Sequence, residues 1–107
     1  MSEKNKPSHK LDDVKRRVTV NKAPAFTKSA LDGIADLKMV LSTAIGVICG
    51  LTVQQHFYKS MSTYKNSAVW QDVYYADAPD GTPLYIKFTL HSDRTVTVIS
   101  FKRREQT

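Results

Sequence analysis

The segment Leu84 to His91 (LYIKFTLH) alternates as a half-buried strand does. Leu84, Ile86, Phe88 and Leu90 fall on one face, and Tyr85, Lys87, Thr89 and His91 on the other. In the next segment, Thr95 to Lys102 (TVTVISFK), Ile99 and Phe101 share the apolar face, leaving Val98, Ser100 and Lys102 opposite. A hairpin loop of two residues, Asp93-Arg94, or of four, Ser92 to Thr95, sets Tyr85 directly across from Lys102. An odd-length loop breaks that pairing, because a slip of one residue flips every side chain. A phenol donates a hydrogen bond or a proton, and an ammonium stabilises developing negative charge. His91, on the same face as Tyr85, adds a candidate general acid.

The elements that must hold this pair fall into two halves. Residues 1–8 read as a disordered basic lead-in, followed by a single domain over residues 9–107. Ser8 is placed to cap a helix through Val18, with Leu11, Val14 and Val18 along one face. Thr27 caps a second helix carrying Ala30, Leu31, Ile34 and Leu37. A third, Ser42 to Cys49, is apolar nearly all round and reads as buried. Thr52 with Gln55 has capping-box spacing for one further turn.

From there the period changes to two. Ala68 to Tyr75 (AVWQDVYY) joins the two strands above, Phe57 to Tyr64 is a candidate fourth, and turn residues separate them. In AVWQDVYY neither face is clearly apolar, so periodicity leaves Gln71 unplaced, whereas Trp70 reads as core. Helices first and an antiparallel meander second make an α+β fold, with the N-terminal helices packed on one face of the sheet.

Lys and Arg outnumber Asp and Glu by 16 to 10, a net charge of +6. That excess speaks for a polyanionic partner: nucleic acid, an anionic surface or an acidic protein. Lys15, Arg16 and Arg17 on the first helix, Lys87 on the strand face and Arg103-Arg104 at the tail are candidate phosphate contacts. The longest apolar run, Ala44 to Leu51, is far short of a membrane span, and no signal-like segment opens the chain. The expectation is a cytoplasmic protein with no membrane association. Cys49, the lone cysteine, can form no intramolecular disulfide and reads as a small buried apolar group. His9, His56 and His91 are scattered without carboxylates at ligand spacing, so neither a metal site nor a cofactor is expected.

The strings FYKSMSTY (Phe57 to Tyr64) and VWQDVY (Val69 to Tyr74), then LYIKFT and VISFK, resemble in order and spacing the MqsR family of toxins. HKLDDVKRRV near the start and TKSAL around residue 30 extend the likeness from His9 to Lys102. The resemblance implies a RelE-like fold and a ribosome-independent mRNA interferase that cuts at a short GC-containing triplet. Such an enzyme inhibits translation and growth as the toxin of a type II toxin–antitoxin pair. It also implies a partner, an MqsA-like antitoxin with a zinc-binding N-terminal domain and a helix-turn-helix C-terminal domain. Carried over by motif, the catalytic residues are Lys59, Gln71, Tyr85 and Lys102. The loop Ala76 to Pro83 is slightly longer than the family's, and residues 1–8 extend its N-terminus. A changed loop beside the site bears on which triplet is cut.

RNA carries its own nucleophile in the 2′-hydroxyl. An enzyme has only to help remove that proton, stabilise charge at phosphorus and protonate the departing 5′-oxygen. No metal is needed for this, and the products are a 2′,3′-cyclic phosphate and a 5′-hydroxyl. A free lysine, with a pKa of about 10.4, is a poor base at neutral pH. A second cation lowers it, so Lys59 and Lys102 are expected to converge, one stabilising charge and the other moving the proton. Taken singly, a strand lysine is usually solvated and a sheet tyrosine usually packing. The alternative reading is a non-catalytic RNA- or DNA-binding module using the same basic face, stacking bases on Tyr85 or Tyr75. A second alternative is a surface that meets an acidic protein.

Overall fold

The computed structural model describes residues 2–62 and 69–105. A two-residue strand, β1 (Glu3–Lys4), precedes the helices α1 (Leu11–Asn21), α2 (Lys28–Asp36) and α3 (Leu41–Cys49) and the single turn α4 (Val53–His56). Four longer strands follow: β2 (Phe57–Ser62), β3 (Trp70–Asp77), β4 (Pro83–Leu90) and β5 (Val96–Arg103). They form one sheet in the order β1-β2-β3-β4-β5, antiparallel at every step. The fold is α+β, with the N-terminal helices on one face of the sheet.

The helices bury most of the stripes their spacing dictates, although Leu31 of α2 is exposed. Leu11, Val14 and Val18 of α1, Ala30 and Ile34 of α2, and Ala44 and Ile48 of α3 meet Tyr74, Leu84, Ile86, Phe88, Val98 and Phe101 of the sheet in one core. Thr27 caps α2, its Oγ1 accepting from Ala30 N at 3.0 Å, and Thr52 Oγ1 accepts from Gln55 N to start α4. At Gly33, a Cβ would collide with the carbonyl oxygen of Phe101, so glycine lets α2 lie directly on β5.

Several expectations are corrected. α3 is not buried all round: Ser42, Gly46 and Cys49 face outward, and only Ala44 and Ile48 are fully enclosed. Leu41, Ile45 and Val47 are partly buried against the core, and the Cys49 thiol is exposed. Trp70 is only half-buried and stands outside the core, with the Lys4 ammonium 4.3 Å from its ring centre.

Residues 2–8 of the lead-in lie against the sheet. Glu3 and Lys4 pair with Met61 and Ser60 of β2. Ser8 does not cap α1. Its amide and that of His9 donate to the fully buried carboxylate of Asp72, and its hydroxyl meets Ser60 Oγ at 2.6 Å. A carboxylate enclosed in a sheet must find donors, and the backbone of residues 8 and 9 supplies them. That buried demand ties down a segment whose composition alone suggests none.

The β4–β5 hairpin carries the correction with most consequence. Leu90 pairs with Val96, and His91 N donates to Thr95 O, so the loop has an odd length. Tyr85 nevertheless faces Lys102, because Ile99 is an extra residue on β5 between the Phe88–Val98 and Lys87–Ser100 pairs. The bulge also changes the inward set. Val96, Val98 and Phe101 enter the core, whereas Ile99 is only half-buried.

Candidate active site

The sheet face away from the helices carries two rows of side chains. The first runs Lys59 (β2), Val73 (β3), Lys87 (β4) and Ser100 (β5), each directly paired with the next. The second runs Tyr75, Tyr85 and Lys102 on β3, β4 and β5. Gln71 lies two residues from Val73 on that face, opposite Met61, so the pairing settles what periodicity left open. Val73 is fully buried yet takes no part in the helix-side core, so it floors this site. Lys59, Gln71, Tyr85 and Lys102 thus share one face, with Lys87 between them.

A second bulge, at Tyr58, adds the aromatic part. Phe57 pairs with Tyr74 on the core side, but Lys59 pairs with Val73 on the other, and Tyr58 is the extra residue. The Tyr58 ring stacks on Tyr75 with centroids 4.2 Å apart, and Tyr75 lies 6.0 Å from Tyr85. The Arg104 guanidinium sits 4.6 Å from the Tyr75 ring centre, and Lys102 Nζ 5.4 Å from that of Tyr85. A three-ring ladder with cations along it results.

Lys59 is ion-paired. Its Nζ donates to Glu3 Oε2 at 2.7 Å, a contact that β1 makes available by pairing beside β2. The hydrogen bond from Lys59 to Glu3 raises the lysine's pKa, holding it charged. Lys59 therefore does not show the lowering expected of it, whereas Lys87 does. Burial, and then the flanking ammonium groups of Lys102 and Lys59, push its pKa down. Burial raises the pKa of Tyr85, with Lys59 partly opposing, so the phenol keeps its proton.

The other candidates divide. Lys15, Arg16 and Arg17 lie on α1, which covers the opposite face of the sheet, and Arg16 pairs with Asp13. They are not brought to the site. Arg103 pairs with Leu84 and, with Lys102, lines a depression beside Gly33, Asp36 and Lys38 at the end of α2. Arg104 does reach the face. The histidines stay apart. His91 Nε2 lies 2.9 Å from Thr97 Oγ1, His56 Nδ1 accepts from Thr52 N, and His9 Nε2 is 2.6 Å from Trp70 O.

Sequence reasoning missed Glu3 and Tyr58. Glu3 meets Lys59 across 56 residues of chain, and Tyr58 reaches the face only through a bulge. Neither leaves a local signal. Tyr75 was legible only as a stacking residue of the binding-module reading.

Two comparisons bear on identity. The family model described as "Motility quorum-sensing regulator, toxin of MqsA" matches residues 6–103. The chain is also 36% identical over 102 residues to the mRNA interferase toxin MqsR of Escherichia coli (strain K12), covering 95% of this chain and 99% of that protein. A match running from the β1–α1 connection to the end of β5 takes in the four strands that carry the two rows, and the chain belongs to the MqsR toxin family.

Proposed function

We propose that this protein is a metal-independent endoribonuclease that cuts mRNA without the ribosome, at a short GC-containing triplet, as the toxin of a type II toxin–antitoxin pair. The observation that carries the reading is the convergence of Lys59, Lys87, Lys102, Tyr85 and Gln71 on the one sheet face the helices leave free. Lys59 and Lys102 stabilise charge on the phosphate, Gln71 orients a phosphate oxygen or a base, and Tyr85 protonates the departing 5′-oxygen. Preorganised donors of this kind contribute about 3 kcal/mol each to a transition state. The products are a 2′,3′-cyclic phosphate and a 5′-hydroxyl. The substrate is cytoplasmic mRNA, and an MqsA-like antitoxin with a zinc-binding domain and a helix-turn-helix domain restrains the activity. Among the described residues no helix is long and apolar enough to cross a membrane.

The Tyr58–Tyr75–Tyr85 ladder with Arg104 favours a second reading, an RNA-binding module without catalysis, since bases stack on such surfaces. One experiment separates the two: a defined mRNA incubated with the purified protein, EDTA and no ribosomes, beside Lys102→Ala. Discrete cuts at a recurring triplet, absent with the variant, support the nuclease. Intact RNA bound by a folded protein supports the module.

A further inference from the structure

We propose that Lys87 is the residue that takes the proton from the 2′-hydroxyl, standing between Lys59 and Lys102 on the floor of the site. The proposal rests on the nuclease reading above and assigns its one open step. In its neutral form the amine accepts the 2′-proton and the 2′-oxygen attacks phosphorus. The bond to the 5′-oxygen then breaks, and that oxygen leaves with a proton from Tyr85.

The other members of the site are committed elsewhere. Lys59 is held by the Glu3 carboxylate. Tyr85 is a donor, Gln71 does not titrate, and Lys102 stands exposed at the strand end, over the Tyr85 ring. Lys87 alone is central. It pairs with Val73, which pairs in turn with Lys59, and with Ser100, two residues from Lys102. Around it are Tyr85 and Thr89 on β4, Gln71, Val73 and Tyr75 on β3, Tyr58 and Lys59 on β2, and Ser100 and Lys102 on β5. Glu3 on β1, on the far side of Lys59, is engaged by that lysine, and the Asp72 carboxylate on β3 accepts from the Ser8 and His9 amides. Among the described residues no carboxylate forms an ion pair with Lys87.

Half-buried beside two cations, it has its charged form penalised from every side, and its pKa is driven down accordingly. A lysine in that setting gives up its proton more readily than a free one, which suits it to proton transfer.

The test is single-turnover cleavage of an RNA carrying the cut sequence, across a range of pH, with binding measured on the same RNA bearing a 2′-deoxy scissile nucleotide. Lys87→Arg keeps a cation but removes the titrating amine. It is expected to bind the deoxy analogue as tightly as wild type and to cleave about 100-fold to 10,000-fold more slowly. Wild-type cleavage is expected to rise with pH through the lowered Lys87 pKa, and the variant to lose that rise. Lys87→Cys in a Cys49→Ser background, alkylated to an S-aminoethyl side chain with a less basic amine, should regain cleavage with the rise moved to lower pH. Lys87→Arg cutting at the wild-type rate with an unchanged pH profile overturns the proposal while leaving the nuclease intact. Wild-type protein that leaves the RNA uncut overturns the nuclease reading, and this proposal with it.

Discussion

Tyr85 and Lys102 face each other across β4 and β5 because two irregularities cancel. An odd hairpin loop shifts the register by one residue, and the extra Ile99 shifts it back. Thr27 holds that bulge. Its amide donates to Val98 O at 3.1 Å and its hydroxyl to Ile99 O at 2.8 Å, while the same oxygen caps α2. One threonine therefore ties the helical layer to the register of the candidate site.

Thr27→Val is expected to lose both hydroxyl contacts and about 1–2 kcal/mol of stability, lowering Tm by about 4–8 °C per kcal/mol in a domain of this size. Cleavage should fall as well, through loss of the Tyr85–Lys102 geometry, and Thr27→Ser should restore both. Equal melting and cleavage in Thr27→Val and wild type would show that the bulge needs no such anchor.

On the proposed function, Glu3 would compete with phosphate for the Lys59 ammonium it holds. Glu3→Gln removes the negative charge without removing β1, so the Lys59 ammonium loses its ion pair and becomes more available to RNA. RNA affinity at low salt should rise, and the slope of log K against log salt should steepen by about 0.7, one further phosphate contact on a single strand. An unchanged slope, measured by titration at several salt concentrations, would mean that Lys59 does not meet the backbone.

Tyr58 is 50% exposed although it stacks on Tyr75, leaving its outer face open to a base. Tyr58→Ala should weaken RNA binding by about 1–3 kcal/mol, the range for one stacked base, while Tyr58→Phe binds normally. If both variants bind as wild type does, the ladder is packing and no base rests on it.

Asp72 anchors the lead-in. Asp72→Ala leaves the amides of Ser8 and His9 without their acceptor, a loss of about 1–3 kcal/mol. Amide exchange at Ser8 and His9 should quicken more than in the β4–β5 core. Uniform acceleration throughout the chain would instead indicate that residues 2–9 unfold only with the whole domain.

Much of the framework is legible along the chain. The Leu11, Val14 and Val18 spacing, the Thr27 and Thr52 caps and the alternation from Leu84 to Phe88 each depend on neighbours a few residues away, and each appears in the structure as read, whereas at the strand end Thr89 is buried and Leu90 only half-buried. The shared face of Tyr85 and Lys102 was legible too, although for a different reason from the one the loop length suggested. Other features were decided by contacts between distant segments. Gln71 takes its face from pairing with β2, Tyr58 and Ile99 are extra residues that invert the phase of a strand without a local mark, and Glu3 reaches Lys59 through an edge pairing. Periodicity reports which side of its own element a residue faces. It carries no record of a bulge that resets the count, or of a buried carboxylate such as Asp72 that draws in a remote backbone. Only the assembled sheet, with its pairings and its need to satisfy buried polar groups, determines those.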